Sequence, residues 1–318
     1  MKFVRHVLLC LAVFLLSLPL LGGEADPVPE ENKALIGAWQ NEADAAYFLL
    51  FTPAKCAWTD KSGPQFARVK YFPGLVAVRV LGAPALWQVE VKDNRMTLTQ
   101  VDFKKKTIKE GTKPSVWKKL DQVPKELDIQ PLAFGEAKPV PVEQRKALQE
   151  EFKQREKLDQ DVRKDPAKQA DMGKVDADNT AFLKKTVQEL GWIDAGRFGA
   201  QASNTAFLIV QHSGDMPLML AALPAIEKDV KAKLVDGGAY ALLYDRVKLN
   251  LGEKQRYGSQ IARTASGEMV VLTLEDKAKV DQFRKEMGMT PLAQYLAFFK
   301  GQNGGKDVKF ADDLETEK

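Results

Sequence analysis

The stretch "DQVPKELDIQPLAFGEAKPV", residues 121–140, holds Pro124, Pro131 and Pro139 and shows no sustained apolar period. It reads as a linker, because proline removes a backbone donor and biases the residue before it away from helix. The two flanks differ in kind. On the N-terminal side, AAYFLLF, CAWTD, QFARVKYF, LVAVRVL, LWQVEV, RMTLTQVDF and SVWKKL are short runs rich in β-branched and aromatic residues. Turn chemistry separates them at Ser62-Gly63-Pro64, Pro73-Gly74, Gly82-Ala83-Pro84 and Lys92-Asp93-Asn94. Seven or eight such strands predict an antiparallel meander over 33–120, closed as a small barrel or folded as a sandwich. On the C-terminal side the period becomes helical. VEQRKALQEEFKQREKLDQDVRK places Leu148, Phe152, Leu158 and Val162 near one face until Asp165-Pro166 stops it. The expected fold class is α+β in two domains, the second mainly helical over 141–300 with one β-hairpin.

Further along, DADNTAFLKKTVQELGW predicts a helix with Phe182, Leu183, Val187 and Leu190 inward, a cap at Asp178 or Asn179 and a stop at Gly191. TAFLIVQHSGD, residues 205–215, is a third helix candidate whose apolar run also suits a strand. PLMLAALPAIEKDVKAKL carries Pro217 at a first-turn position and Pro224 as a kink, and GAYALLYDRVKLNLG ends at Gly252. IART and EMVVLTL, joined through Ala265-Ser266-Gly267, form the hairpin. Two short helices, around VDQFRKEMG and PLAQYLAFF, are separated by Gly288 with Thr290 as cap. Residues 301–318 lack a buried face and read as a disordered tail, whose "GGK" has neither the spacing nor the hydroxyl residue of a phosphate-binding loop.

The N-terminus opens with Lys2 and Arg5, an apolar run over 7–21, and Gly23 and Ala25 placed as the small residues of a signal-peptidase site. This predicts a signal peptide over 1–25 and export to the periplasm or beyond; the competing reading is an uncleaved anchor, for which the run is short and broken by Pro19. Without residues 1–25 the chain keeps 45 basic and 42 acidic residues, so no single-signed field invites nucleic acid or stable membrane attachment. It also keeps one cysteine, Cys56, and one histidine, His212, which excludes an intramolecular disulfide and a Cys/His zinc site. Carboxylate cation sites stay open in principle, but no loop of calcium-binding spacing occurs, so the expectation is no metal and no cofactor.

Two polar groupings stand out. Drawn as a helix, 204–212 stacks Asn204, Leu208 and His212, with Gln211 alongside on Phe207. His212 then sits at a helix end, either as a hydrogen-bonding structural residue or as a general base or ligand contact. QRYGSQ packs Gln255, Arg256, Tyr257 and Gln260 into a short turn after Asp245 and Arg246, chemistry that suits sugars, peptides or carboxylates, or that satisfies backbone around the hairpin.

Two resemblances follow from these residues. Gly37-Ala38-Trp39 has the Gly-x-Trp form of the first lipocalin strand, and the hairpin-by-hairpin layout after it looks lipocalin-like; Trp39 is then an aromatic plug at the barrel end. LDQDVR, VDADNTAFLKKTVQELGW, AFLIVQH, ALLYDRVKLNLGEKQRYGSQ and MTPLAQYL, in this order, resemble a bacterial family named domain of unknown function 6624, over roughly 145–300. That resemblance groups Asp159, Gln160, Arg163, Asp176, Asn179, Trp192, Gln211, His212, Asp245, Arg246, Gln255, Tyr257 and Gln260 as recurring polar positions. The chain departs from the family at Ile193, where proline is usual after Gly-Trp.

The combination gives a site expectation. His212 and Asp245 are the catalytic candidates, with Asp159 the other carboxylate that could stand beside the histidine. Gln211, Arg246, Gln255, Tyr257, Gln260, Asp159, Gln160 and Arg163 are the ligand-binding candidates. No nucleophile elbow or cofactor loop accompanies them, Ser203 and Ser213 lack the flanking glycines, and Cys56 lies in the other domain. The leading expectation is an exported binding or interaction protein for a small polar ligand or envelope component. The alternatives are a hydrolase-like acid/base enzyme using His212, and a structural scaffold.

Overall fold

The computed structural model describes residues 28–60, 63–80, 83–102, 105, 107–263 and 267–311; the signal-peptide reading falls outside them. A 3-10 turn, Glu30–Leu35, leads into eight antiparallel strands: β1 Gly37–Asn41, β2 Phe48–Phe51, β3 Lys55–Asp60, β4 Gly63–Phe72, β5 Leu75–Val80, β6 Ala83–Lys92, β7 Arg95–Val101 and β8 Ser115–Leu120. Each pairs with the next, and β1 pairs with β8 through Ala38↔Leu120 and Gln40↔Lys118, so the sheet closes as a barrel. Closure removes the free edges an open sheet would expose. The β6–β7 turn is Asp93-Asn94, both at positive φ (51° and 60°), the conformation that suits a two-residue hairpin. Gly63-Pro64 and Ala83-Pro84, expected in turns, instead pair with β3 and β5 residues, because the connections are shorter than the turn chemistry implied.

Trp39, Phe51, Cys56, Tyr71, Val76, Val78, Met96 and Leu98 form one cluster on the barrel's inner face. Trp39 is fully buried, donates its indole N–H to Leu35 O at 2.8 Å and lies under the Lys119 ammonium, which places it at the barrel end entered by the 3-10 turn.

The helical region comprises α1 Val142–Lys164, α2 Met172–Leu190, α3 Ala195–Phe198, α4 Ala200–Ser213, α5 Met216–Lys231, α6 Gly237–Asn250, α7 Val280–Glu286 and α8 Leu292–Phe299. Its core joins Phe152, Leu183, Val187, Ile193, Phe198, Ile209, Leu218, Ile226 and Leu243. Ile193 is fully buried. The segment with His212 is helix, not strand. Asp178 and Asn179 are not caps: α2 starts at Met172, after a 3-10 turn capped by Asp165, and carries both residues mid-helix. Thr290 is not a cap either, since Pro291 occupies that position. In α1 the expected face is out of phase at one place: Leu158 is 50% exposed and Asp159 is 2% exposed. Asp159 follows Phe152 by seven residues and precedes Val162 by three, so the helix repeat, not hydrophobicity, turns it inward.

Strands β9 Ile261–Arg263 and β10 Met269–Val271 pair antiparallel, and β11 Lys309–Phe310 adds to β10 in parallel, so the sheet has three strands. The tail expected to be disordered is therefore ordered as far as Ala311, with Val308 and Ala311 buried; its last residues lie outside the described ones. Residues 121–140 hold one 3-10 turn, Lys125–Leu127, and are otherwise irregular, yet they strap across the molecule. Leu127 is buried, Leu132 N–H bonds Pro217 O, Gly135 N–H bonds Val187 O, and Phe134 stacks on Trp192. The barrel meets the helices where Gly252, at φ +69°, lies on the β4 backbone: a Cβ there would stand 2.7 Å from the Ala67 carbonyl carbon. Lys55 and Glu253 pair at 3.4 Å beside it. No helix among the described residues is long and apolar enough to cross a membrane.

Candidate functional site

Three helices bring ionisable groups together. α1 supplies Asp159, Gln160 and Arg163, α2 supplies Asp176, and the last turn of α4 supplies His212. Asp159 is the hub. Its Oδ1 lies 2.9 Å from His212 Nδ1 and 2.9 Å from Arg163 Nη1, and its Oδ2 accepts from Gln160 Nε2 at 2.9 Å. Arg163 also donates to Asp159 O at 3.1 Å and to Asp176 Oδ1 at 2.6 Å, so one guanidinium bridges two carboxylates. Burial pushes the Asp159 carboxyl up, but the hydrogen bond and charge of His212, the Gln160 amide and the Arg163 charge together hold it below the ordinary aspartate value.

Exposure grades outward across this lattice. The Asp159 side chain is 2% exposed, whereas those of Asp176, Arg163 and His212 are 20–23% exposed. An ionised Asp159 accepts a hydrogen bond from Nδ1–H of His212, which fixes the tautomer and leaves Nε2 the basic nitrogen. Nε2 has no protein partner among the described residues. Asp159, Asp176 and His212 also bring one ligand atom each within 4.8 Å of one another, the donor set that counting cysteines and histidines leaves open for a divalent cation. Arg163 already sits between the two carboxylates, so a positive charge is built into that position.

Asp245 has different company. It is fully buried in α6, and its oxygens accept from Arg256 N, Tyr257 N, Ser259 N and Ser259 Oγ at 2.8–3.2 Å. Burial raises its carboxyl above the ordinary value against the pull of those donors. Its acceptor capacity is spent on the turn, so the structure pairs His212 with Asp159 and not with Asp245. Most of the QRYGSQ turn is likewise turned inward. Gln255, fully buried, donates to Gln260 O and Leu272 O and accepts from Gln260 N. Tyr257 is 4% exposed, and Gln260 donates to Leu242 O and Ser259 Oγ. None of these bonds reaches His212. These three side chains knit the hairpin to α6.

Arg246, the neighbour of Asp245, faces the other way. Its Nη1 donates to Gln211 O, one of the carbonyls at the end of α4 that no helical N–H can satisfy. It has no carboxylate partner among the described residues, and burial lowers its pKa. Gln211 itself is 7% exposed and its Oε1 has no partner. Asn179 meets Arg155 through Oδ1, and Trp192 donates to the buried Asp229, so both serve packing. An open cleft between α2 and the turn into α5 is lined by Thr180, Lys184, Lys185, Gln188, Ser213 and Gly214, and by none of the side chains of the Asp159 lattice.

Asp176 is the residue of this lattice absent from the sequence-derived candidates, although it stands among the polar positions that the family resemblance groups. The usable signal was the inward phase of Asp159, a charge at a core-facing position that needs partners from neighbouring helices.

An eight-stranded barrel followed by a helical region with a buried carboxylate–histidine–arginine lattice is the class these observations define. The model of a family of unknown function, DUF6624, matches residues 148–309, just over half of the chain, and the chain belongs to that family. No curated protein and no solved structure matches it.

Proposed function

We propose that the chain is an exported two-domain protein, a lipocalin-like barrel joined to a helical domain, that binds a small polar ligand or envelope component at the His212 end of α4. The observation that carries this reading is the exposure gradient of the lattice. Its buried hub, Asp159, holds His212, Arg163 and, through Arg163, Asp176 in place, while those three side chains keep a face toward solvent. Rigid, prepositioned polar groups at a partly exposed helix end are what recognition of a polar molecule requires. A second reading, acid/base catalysis of a hydrolytic kind, is favoured by one contact: the 2.9 Å Asp159–His212 bond, which makes Nε2 a general base.

A screen of metabolites and peptidoglycan fragments, read both as a rise in Tm and as turnover, tests both. Binding predicts a ligand that stabilises the wild type, with His212→Ala folded but no longer responsive. Turnover that disappears in His212→Ala favours the enzyme. A ligand that stabilises His212→Ala as much as the wild type removes the site from His212, and a fall in basal stability as the only effect leaves a scaffold. Export is tested by the mass of the mature chain, expected to start at Asp26; an intact N-terminus in the envelope fraction supports the anchor instead.

A further inference from the structure

We infer that Arg246 is the anchor for an oxyanion, a carboxylate or phosphate group, carried by the ligand of the His212 site. The inference rests on the reading above and deepens it.

Four other guanidinium groups of the helical region meet carboxylates inside the fold, whereas Arg145 of α1 has no side-chain partner among the described residues. Arg163 spans Asp159 and Asp176, Arg155 meets Glu151 and Asp178, Arg197 meets Asp194, and Arg256 meets Glu275. Arg284 lacks a carboxylate but directs Nε and Nη1 at two carbonyls, Thr290 O and Tyr257 O, with the Tyr295 ring beneath it. Arg246 has a single acceptor, Gln211 O. An arginine presents five N–H donors in a planar fork, so its remaining donors are unspent in a half-buried place. Desolvating a cation without an anion is unfavourable, and a fork with free parallel N–H groups is shaped for an oxyanion.

A second observation lies at the same residue. Gln211 is 7% exposed and its side-chain oxygen has no partner. That oxygen is enclosed, and an enclosed amide acceptor without a donor is a cost that a ligand's donor would relieve once the side chain turns toward it. Arg246 is also what makes an anion tolerable here. The end of a helix carries partial negative charge, which this cation offsets at the Gln211 carbonyl.

The histidine supplies the reporter. Once the signal segment is removed His212 is the only histidine, so its ring signals in the NMR spectrum of the mature chain need no assignment. Inorganic phosphate, acetate and neutral methyl glucoside are titrated separately, with sodium chloride matching ionic strength. Phosphate or acetate is expected to move the His212 signals saturably, and the tighter of the two names the oxyanion. Arg246→Lys, which keeps a charge but loses the fork, should weaken binding about tenfold, and Arg246→Gln should abolish it. Backbone amide dispersion checks that each variant is folded. Anion binding that survives Arg246→Gln in a folded protein overturns the inference, as does the absence of any saturable shift with either anion. If methyl glucoside or a ligand from the screen moves His212 equally in wild type and Arg246→Gln, the anchor fails while the His212 site stands. Loss of every response at His212, screen hits included, removes both.

Discussion

Asp159 and Asp245 are both aspartates turned into the helical core, 2% and 0% exposed, and the fold uses them in opposite ways. Asp245 meets only neutral donors, three backbone N–H groups and the Ser259 hydroxyl, all from one turn. Its charge is enclosed and immobilises a loop. Asp159 meets an imidazole, a guanidinium and an amide from side chains that remain partly exposed. Its charge is passed outward, where it sets the tautomer of His212 and the position of Arg163. A buried carboxylate therefore marks a candidate site only when its partners are themselves polar side chains with a face to solvent. One whose partners are backbone amides is a fastening.

The sharpest way to break this contrast is to remove the fastening. Asp245→Ala strands four buried donors at once and should lower unfolding free energy by about 3–5 kcal/mol, the cost typical of breaking a buried charged network. Urea unfolding measures it. A loss below about 1 kcal/mol would mean that the 256–259 turn holds itself and that Asp245 is free for other work.

Asp159→Asn should cost less, about 1–3 kcal/mol, because the amide keeps one acceptor and Arg163 retains Asp176. Its distinguishing effect is at His212, whose Nδ1 proton loses a charged acceptor. Asp159→Asn is therefore expected to alter the His212 ring signals, while a folded Asp245→Asn leaves them in place. Equal effects from both variants would dissolve the contrast.

Acid sharpens it further. Asp159 is held below the ordinary aspartate value, so its stabilisation is complete above that value and is lost as pH falls through the folded one. Asp245, raised by burial, acts with the opposite sign: between its ordinary and raised values the folded state binds the proton more readily, so stability falls as pH rises. The urea midpoint of the wild type minus that of Asp159→Asn should thus shrink as pH falls below about pH 4. A difference that stays constant into acid would show that Asp159 is not an ionised hub.

The barrel was legible because a pleated strand repeats every two residues and its turns need particular residues, as at Asp93-Asn94 with both φ positive. The helices were legible from their repeat, and His212 was correctly expected at a helix end. The Asp159–His212 bond has no sequence signature: it spans 53 residues and depends on how α1 and α4 pack. The two-residue strand β11 is too short to leave a pattern, so residues 301–311 read as tail.

The smallest effect bears on Leu158, expected near the apolar face of α1 and found half exposed. An apolar-face reading of α1 prefers Leu158 inward, and the neighbouring carboxylate outward. The helix repeat from Phe152 to Val162 forces the reverse, leaving Leu158 half exposed. Leu158→Gln should therefore change unfolding free energy by no more than about 0.5 kcal/mol, as surface substitutions do, although leucine deletions in a core cost several times that. If Leu158→Gln instead costs 2 kcal/mol or more (), α1 is rotated toward the expected face. Asp159 then points outward, and its bond to His212 goes with it.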